Sequence, residues 1–136
     1  MKTKIFLNLA VKDLNRAISF FNELGFPTNP KFTNDKGACI VISESIFVML
    51  LVKEFYQTFT KKEICDSTTT SEALMALSVE TREQVDEMIE KAVKAGGTDY
   101  QQSQDYGWMY QRTFLDVDGH HWEVFFMDES QIPENM

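Results

Sequence analysis

The stretch Asp116 to Phe126, DVDGHHWEVFF, places two histidines and a glutamate within four consecutive residues. Such side chains hold zinc or move protons. Neighbours on a β-strand point to opposite faces, so His121 and Glu123 share a face that His120 does not. A zinc site needs at least three protein donors, and the chain has only these two histidines. A third donor would therefore have to be Asp, Glu, Cys or a group from another subunit. The expectation is that His121 is a polar or hydrogen-bonded strand residue and that His120 ends the turn beside Gly119.

The partner of Glu123 depends on the hairpin register. If DVDG alone forms the loop, Leu115 pairs with His120 and Arg112 falls opposite Glu123. A two-residue shift would set Phe114 there and keep Arg112 on that face. An Arg112–Glu123 pair is either a structural link across the hairpin or the polar floor of a binding site. The aromatic stretch DYGWMYQR, Asp105 to Arg112, adds Tyr106, Trp108 and Tyr110, all on the face of Arg112 if the strand stays regular through Gly107.

Two sets of elements position these groups. KIFLNLAV (4–11) has a β-type apolar pattern and leads into DLNRAISFFNELG, with Leu14, Ala17, Ile18, Phe21 and Leu24 at helical spacing, Asp13 as cap and Gly25 as stop. A polar extended segment to Asn34 and the strands 38–42 and 46–52 follow. The second half repeats the order: strand 73–79, a helix with Val85, Met88, Ile89, Ala92 and Val93 on one face and a Thr81/Gln84 capping box, then extended segments 98–103, 109–115 and 120–127. Aligning Val11 with Val79 gives an offset of 79 − 11 = 68 residues, half of 136. The chain thus reads as an internal duplication within one domain: module 1 about 1–52, a polar linker about 53–72, module 2 about 73–128 and a tail 129–136.

That order, with VKDLNRAISFFNELGF after the first strand and DVDGHHWEVFF at the last hairpin, resembles the vicinal oxygen chelate superfamily of glyoxalase I, extradiol dioxygenases, fosfomycin-resistance enzymes and metal-free bleomycin-resistance proteins. The ending DYGWMYQRTFLDVDGHHWEVFFMD is similar to a branch labelled predicted lactoylglutathione lyase. The resemblance implies an α+β fold of two βαβββ modules whose mixed sheets curl into a cup, with a divalent metal held by one side chain from each of four strands. Those ligand positions fall here on Phe6, Leu74, the strand around Met49, and Glu123. Only Glu123 offers a good donor, because a thioether binds hard or borderline ions poorly. The implied metal site is dismantled, so no metal or other cofactor is expected.

The cup is expected to be lined by Phe6, Asn8, Met49, Leu51, Leu74 and Ala76, with Tyr106, Trp108, Tyr110, Arg112, Phe114, His121 and Glu123 as its aromatic and polar part. The function implied is metal-free binding of a small organic ligand, cationic or aromatic. The alternative that the resemblance implies is a metal-dependent lyase or isomerase of the lactoylglutathione lyase type with a rearranged site, in which Glu123 is the candidate catalytic residue, a general base. A homodimer is implied, since superfamily members commonly complete their cups from modules of two chains.

Composition narrows the partners. Lys and Arg number 13 against 21 Asp and Glu, a net charge of −8, so nucleic acid and anionic lipid surfaces are not expected partners. The first apolar run is cut by Asn8 and ended by Lys12 and Asp13, too early for a signal-peptide core. Cys39 and Cys65 suggest neither a disulfide framework nor a zinc cluster. A cytoplasmic location is the expectation.

Overall fold

The computed structural model describes residues 2–134; the last two residues of the expected tail lie outside them. The chain divides into two compact units, one up to Asp66 and one from Ser67. Each carries a four-stranded mixed sheet and a helix in strand-helix-three-strand order, an α+β arrangement.

In the first unit, β1 (Ile5–Val11) is parallel to β4 (Ile46–Val52), which is antiparallel to β3 (Gly37–Val41). The two-residue β2 (Thr28–Asn29) completes the sheet order β1-β4-β3-β2. The extended segment expected to run to Asn34 forms a strand only at those two residues, because Pro30 opens a 3-10 turn to Phe32. Between β1 and β2, α1 (Leu14–Glu23) starts where the Asp13 carboxylate accepts the Arg16 amide at 3.1 Å. Ala17, Phe20 and Phe21 bury its inner face, and α1 packs on β3 and β4. Leu9, Val11, Ile40, Val48 and Leu50 share one fully buried sheet face, set by their alternation and register. Within the segment read as a linker, α2 (Lys53–Tyr56) and a 3-10 turn to Phe59 form a short helical stretch.

The second unit has sheet order β5-β8-β7-β6, the same pattern. β5 (Leu74–Ser78) is parallel to β8 (His121–Met127), and β7 (Met109–Leu115) lies antiparallel between β8 and β6 (Thr98–Asp105). The capping box that starts α3 (Arg82–Lys94) forms as expected: the Gln84 amide donates to the Thr81 hydroxyl at 3.1 Å, and the Gln84 side chain accepts the Thr81 amide at 3.2 Å. Val85, Ile89 and Ala92 bury the helix face against β7 and β8. There Phe114 stacks on Trp122 with centroids 6.2 Å apart, both buried. Losing either ring would cost about 3–5 kcal/mol. Among the described residues, no helix is long and apolar enough to cross a membrane.

Candidate functional site

The turn between β7 and β8 sets the chemistry of the second unit. Asp116 opens it and is buried, 5% exposed. One carboxylate oxygen accepts the amides of Asp118 (2.9 Å) and His120 (3.0 Å), and the other accepts the Trp122 indole N–H at 3.0 Å. Burial pushes the Asp116 carboxyl pKa up, against the opposing effect of nearby His120 and these donors. The Asp116 amide donates to the His120 carbonyl at 3.0 Å, which keeps His120 inside the turn. Gly119 takes φ +86°, a conformation that suits glycine.

The loop therefore has five residues, and Leu115 pairs with His121, not His120. A one-residue slip turns every side chain of one strand to the other face relative to its partner. Thr113, not Arg112, lies opposite Glu123, and Arg112 faces Val124. The expected Arg112–Glu123 pair does not form. Instead Arg112 sits on the α3 side of the sheet, donating to Asp86 at 2.9 Å and Asp99 at 2.8 Å, while the Tyr110 hydroxyl donates to Asp86 at 2.6 Å. Tyr110 thus points to the helix side with Arg112, and buried Phe114 shares that face through its stack on Trp122. The Tyr110 hydroxyl, followed by Arg112, lowers the Asp86 pKa, with burial opposing them. Arg82 completes this layer, gripping Asp105 with two bonds of 2.8 and 3.0 Å and lying 5.3 Å from the Tyr110 ring centroid.

Tyr106 and Trp108 lie in the β6–β7 turn, where Gly107 at φ +83° ends the strand alternation. Their rings lie 6.4 Å apart, and the exposed Tyr106 donates its hydroxyl to Gln104 at 2.7 Å. The regular alternation expected to carry both rings onto the Arg112 face does not extend through this turn.

On the sheet face away from α3, His121 and Glu123 stand side by side as alternation requires. His121 Nε2 lies 3.2 Å from Glu123 Oε2, with the side chains only 12% and 19% exposed. Register brings Leu74 beside His121, and Ala76 and Thr113 beside Glu123, on this same face. Tyr100 meets the His121 ring edge-on at 5.9 Å. In the first unit, Phe6, Asn8, Met49 and Leu51 likewise share one sheet face: Asn8 pairs with Met49, and Phe6 stacks on Phe47 at 4.8 Å.

A pocket of about 170 Å³ opens beside His121 in the second unit, walled by the segment Ser67–Ala73 with Tyr100, Leu115, Gly119 and His120. His120, 4% exposed, ties that segment down: its Nδ1 lies 3.0 Å from Ser67 Oγ and 3.3 Å from Glu72 Oε1. The chain comes so close that a Cβ on Gly119 would lie 2.9 Å from the Ser67 carbonyl oxygen. Reading the sequence missed Ser67, Glu72, Asp86 and the bonding of Asp116. Asp at the head of D-x-D-G is the one local signal, since aspartate caps the amides two residues on.

The divalent ion implied by resemblance does not fit these residues. Phe6 and Leu74 carry no donor atom and Met49 only a thioether, which leaves Glu123 with adjacent His121. Among the described residues, no three His, Cys, Asp or Glu side chains converge as a metal group would require.

Comparison with known proteins gives the family. The solved structure of hypothetical protein SA1046 from S. aureus is similar at 30% identity and TM-score 0.79, covering 93% of this chain and 95% of that one. A glyoxalase/bleomycin resistance protein/dioxygenase family enzyme from Burkholderia phytofirmans shares the fold at 17% identity and TM-score 0.74, over 90% of this chain and 96% of that one. The fosfomycin resistance protein FosX from Listeria monocytogenes shares it at 18% identity and TM-score 0.66, over 93% of each chain. No protein of curated function matches the sequence. The profile of the Glyoxalase/Bleomycin resistance protein/Dioxygenase superfamily matches residues 5–124, and the chain belongs to that superfamily.

Proposed function

We propose that the protein binds a small organic ligand without a metal, using His121 and Glu123 as the polar contact of an otherwise mostly apolar sheet face. The observation that supports this most is the pair itself: a carboxylate and an imidazole 3.2 Å apart, largely shielded from water, beside Leu74, Ala76 and Thr113. A shielded carboxylate favours a ligand that brings a cation or hydrogen-bond donors. Leu74 and Ala76, both exposed, supply apolar surface next to it.

Bleomycin, cationic and aromatic and named in the superfamily's own description, is a suitable first ligand. Calorimetry should show saturable binding that Glu123→Gln weakens at least tenfold while unfolding free energy changes by under about 1 kcal/mol. Equal binding by wild type and variant would remove Glu123 from the role, and a stability loss without a binding loss would make the pair structural. A second reading, a lyase or isomerase of the lactoylglutathione lyase type, rests on the same two side chains, with Glu123 as general base. Isomerisation of the methylglyoxal-glutathione adduct upon addition of Ni or Zn would favour it over the first.

A further inference from the structure

The register of the last hairpin decides which residues of β7 stand beside Glu123. Thr113 lies opposite Glu123 and Gln111 opposite Phe125, so alternation puts Gln111 and Thr113 on the Glu123 face, away from α3. Gln111 is thereby the diagonal neighbour of Glu123, a relation that sets residues ~7–8 Å apart across a sheet. Glu123 Oε2 lies against His121. Among the described residues, Glu123 Oε1, the Thr113 hydroxyl and the Gln111 carboxamide make no hydrogen bond within the chain. None of the non-exposed described residues has a side-chain nitrogen or oxygen that is both buried and unbonded. All three groups therefore reach solvent, although the Glu123 side chain is only 19% exposed and Gln111 and Phe125 are half-buried. Polar groups partly shielded from water and left without a partner gain from a ligand that supplies one.

We infer that Gln111 is a specificity-determining residue of this face, and that the ligand is an organic cation carrying a carboxamide, with its charge on Glu123 and its carboxamide on Gln111. The inference rests on the binding role proposed for Glu123 and adds the ligand's second functional group. An ionised carboxylate only accepts, so Glu123 takes the charged donor. Gln111 presents an NH2 and a C=O side by side, a pattern that another primary carboxamide meets with two hydrogen bonds. An anionic group could accept from that NH2 but would be repelled by Glu123 close by. The apolar part that joins the ligand's two polar groups rests on Phe125, opposite Gln111 and next to Glu123 on the same face of β8.

Three probes separate the two contacts: 3-(aminomethyl)benzamide carries both groups on one ring, benzylamine lacks the carboxamide, and benzamide lacks the cation. Each is titrated into the isotope-labelled protein at neutral pH, and the chemical shifts of the Gln111, Thr113, Glu123 and Phe125 amides give its dissociation constant. The first probe should bind about fivefold or more tightly than either of the others, the gain that one net hydrogen bond gives. Gln111→Met, similar in shape but without the carboxamide, should bring the two amines to equal affinity, with Gln111→Ala as a second variant should the first misfold. Glu123→Gln should weaken both amines about fivefold or more. Three results would overturn the inference and leave the role of Glu123 standing. These are equal binding of the two amines by the wild type, an advantage of the first probe that survives in the Gln111 variants, and no binding of either amine by a protein that binds bleomycin through Glu123. Binding of the amines and of bleomycin that is indifferent to Glu123→Gln, or absent altogether, brings down the proposed function and this inference with it.

Discussion

Replacing Asp116 tests how the last hairpin acquires its register. Its carboxylate satisfies three donors: the indole N–H of Trp122 and the amides of His120 and Asp118. Trp122 and His120 are both buried, at 1% and 4% exposure, so Asp116→Ala orphans two shielded donors, each costing about 1–3 kcal/mol. The expected loss is about 2–6 kcal/mol, against a total stability of about 5–15 kcal/mol for a domain. Asp116→Asn keeps an oxygen for the two amides but turns an NH2 toward the Trp122 N–H, which leaves one donor unmet. Its expected loss is therefore smaller, about 1–3 kcal/mol. Urea unfolding at neutral pH measures both, with an unchanged slope showing that the effect is on stability. A loss below about 0.5 kcal/mol for the alanine variant, or an asparagine variant worse than alanine, would refute the assignment of these bonds to the turn.

Other consequences concern the layer beneath α3. Arg112→Met should lower stability by about 1–2 kcal/mol, discounted because Asp86 and Asp99 are each about half exposed, and should leave ligand binding unchanged, as calorimetry on the same variant would show. Asp105 is held down to a pKa of about 2, chiefly by Arg82 and then by the Gly107 amide, and Asp86 is lowered too, chiefly by Tyr110. A carboxylate with a depressed folded pKa contributes stability that is present above its unfolded value of about 3.9 and is lost as pH falls through the folded value. Stability should thus drop between about pH 4 and pH 2, and more gently in Asp105→Asn; unfolding curves across that range check both.

The order of elements was legible because alternating and helical apolar patterns stand out in both halves, and the Thr81/Gln84 box and Asp13 cap are local signals. The shared face of His121 and Glu123 followed from strand parity alone. The face of Arg112, Tyr110 and Phe114 did not, because it turns on whether His120 belongs to the loop. That choice is made by the Asp116 carboxylate binding the His120 amide, a bond that composition does not announce. Gly107 broke the parity of Tyr106 and Trp108 by taking a positive φ. The pocket beside His121 was invisible for another reason: Ser67 and His120 are 53 residues apart, and the Thr-rich stretch between the two halves has no apolar period to mark it as a pocket wall.

Titration of the metal-stripped protein with Ni or Zn by calorimetry addresses the central reading, a binding face built on Glu123 and His121 without an ion. Two ligands without a third hold these metals weakly, so no stoichiometric binding should appear at micromolar concentration. One ion per chain, bound at micromolar affinity or better and lost in Glu123→Gln and His121→Ala, would contradict it.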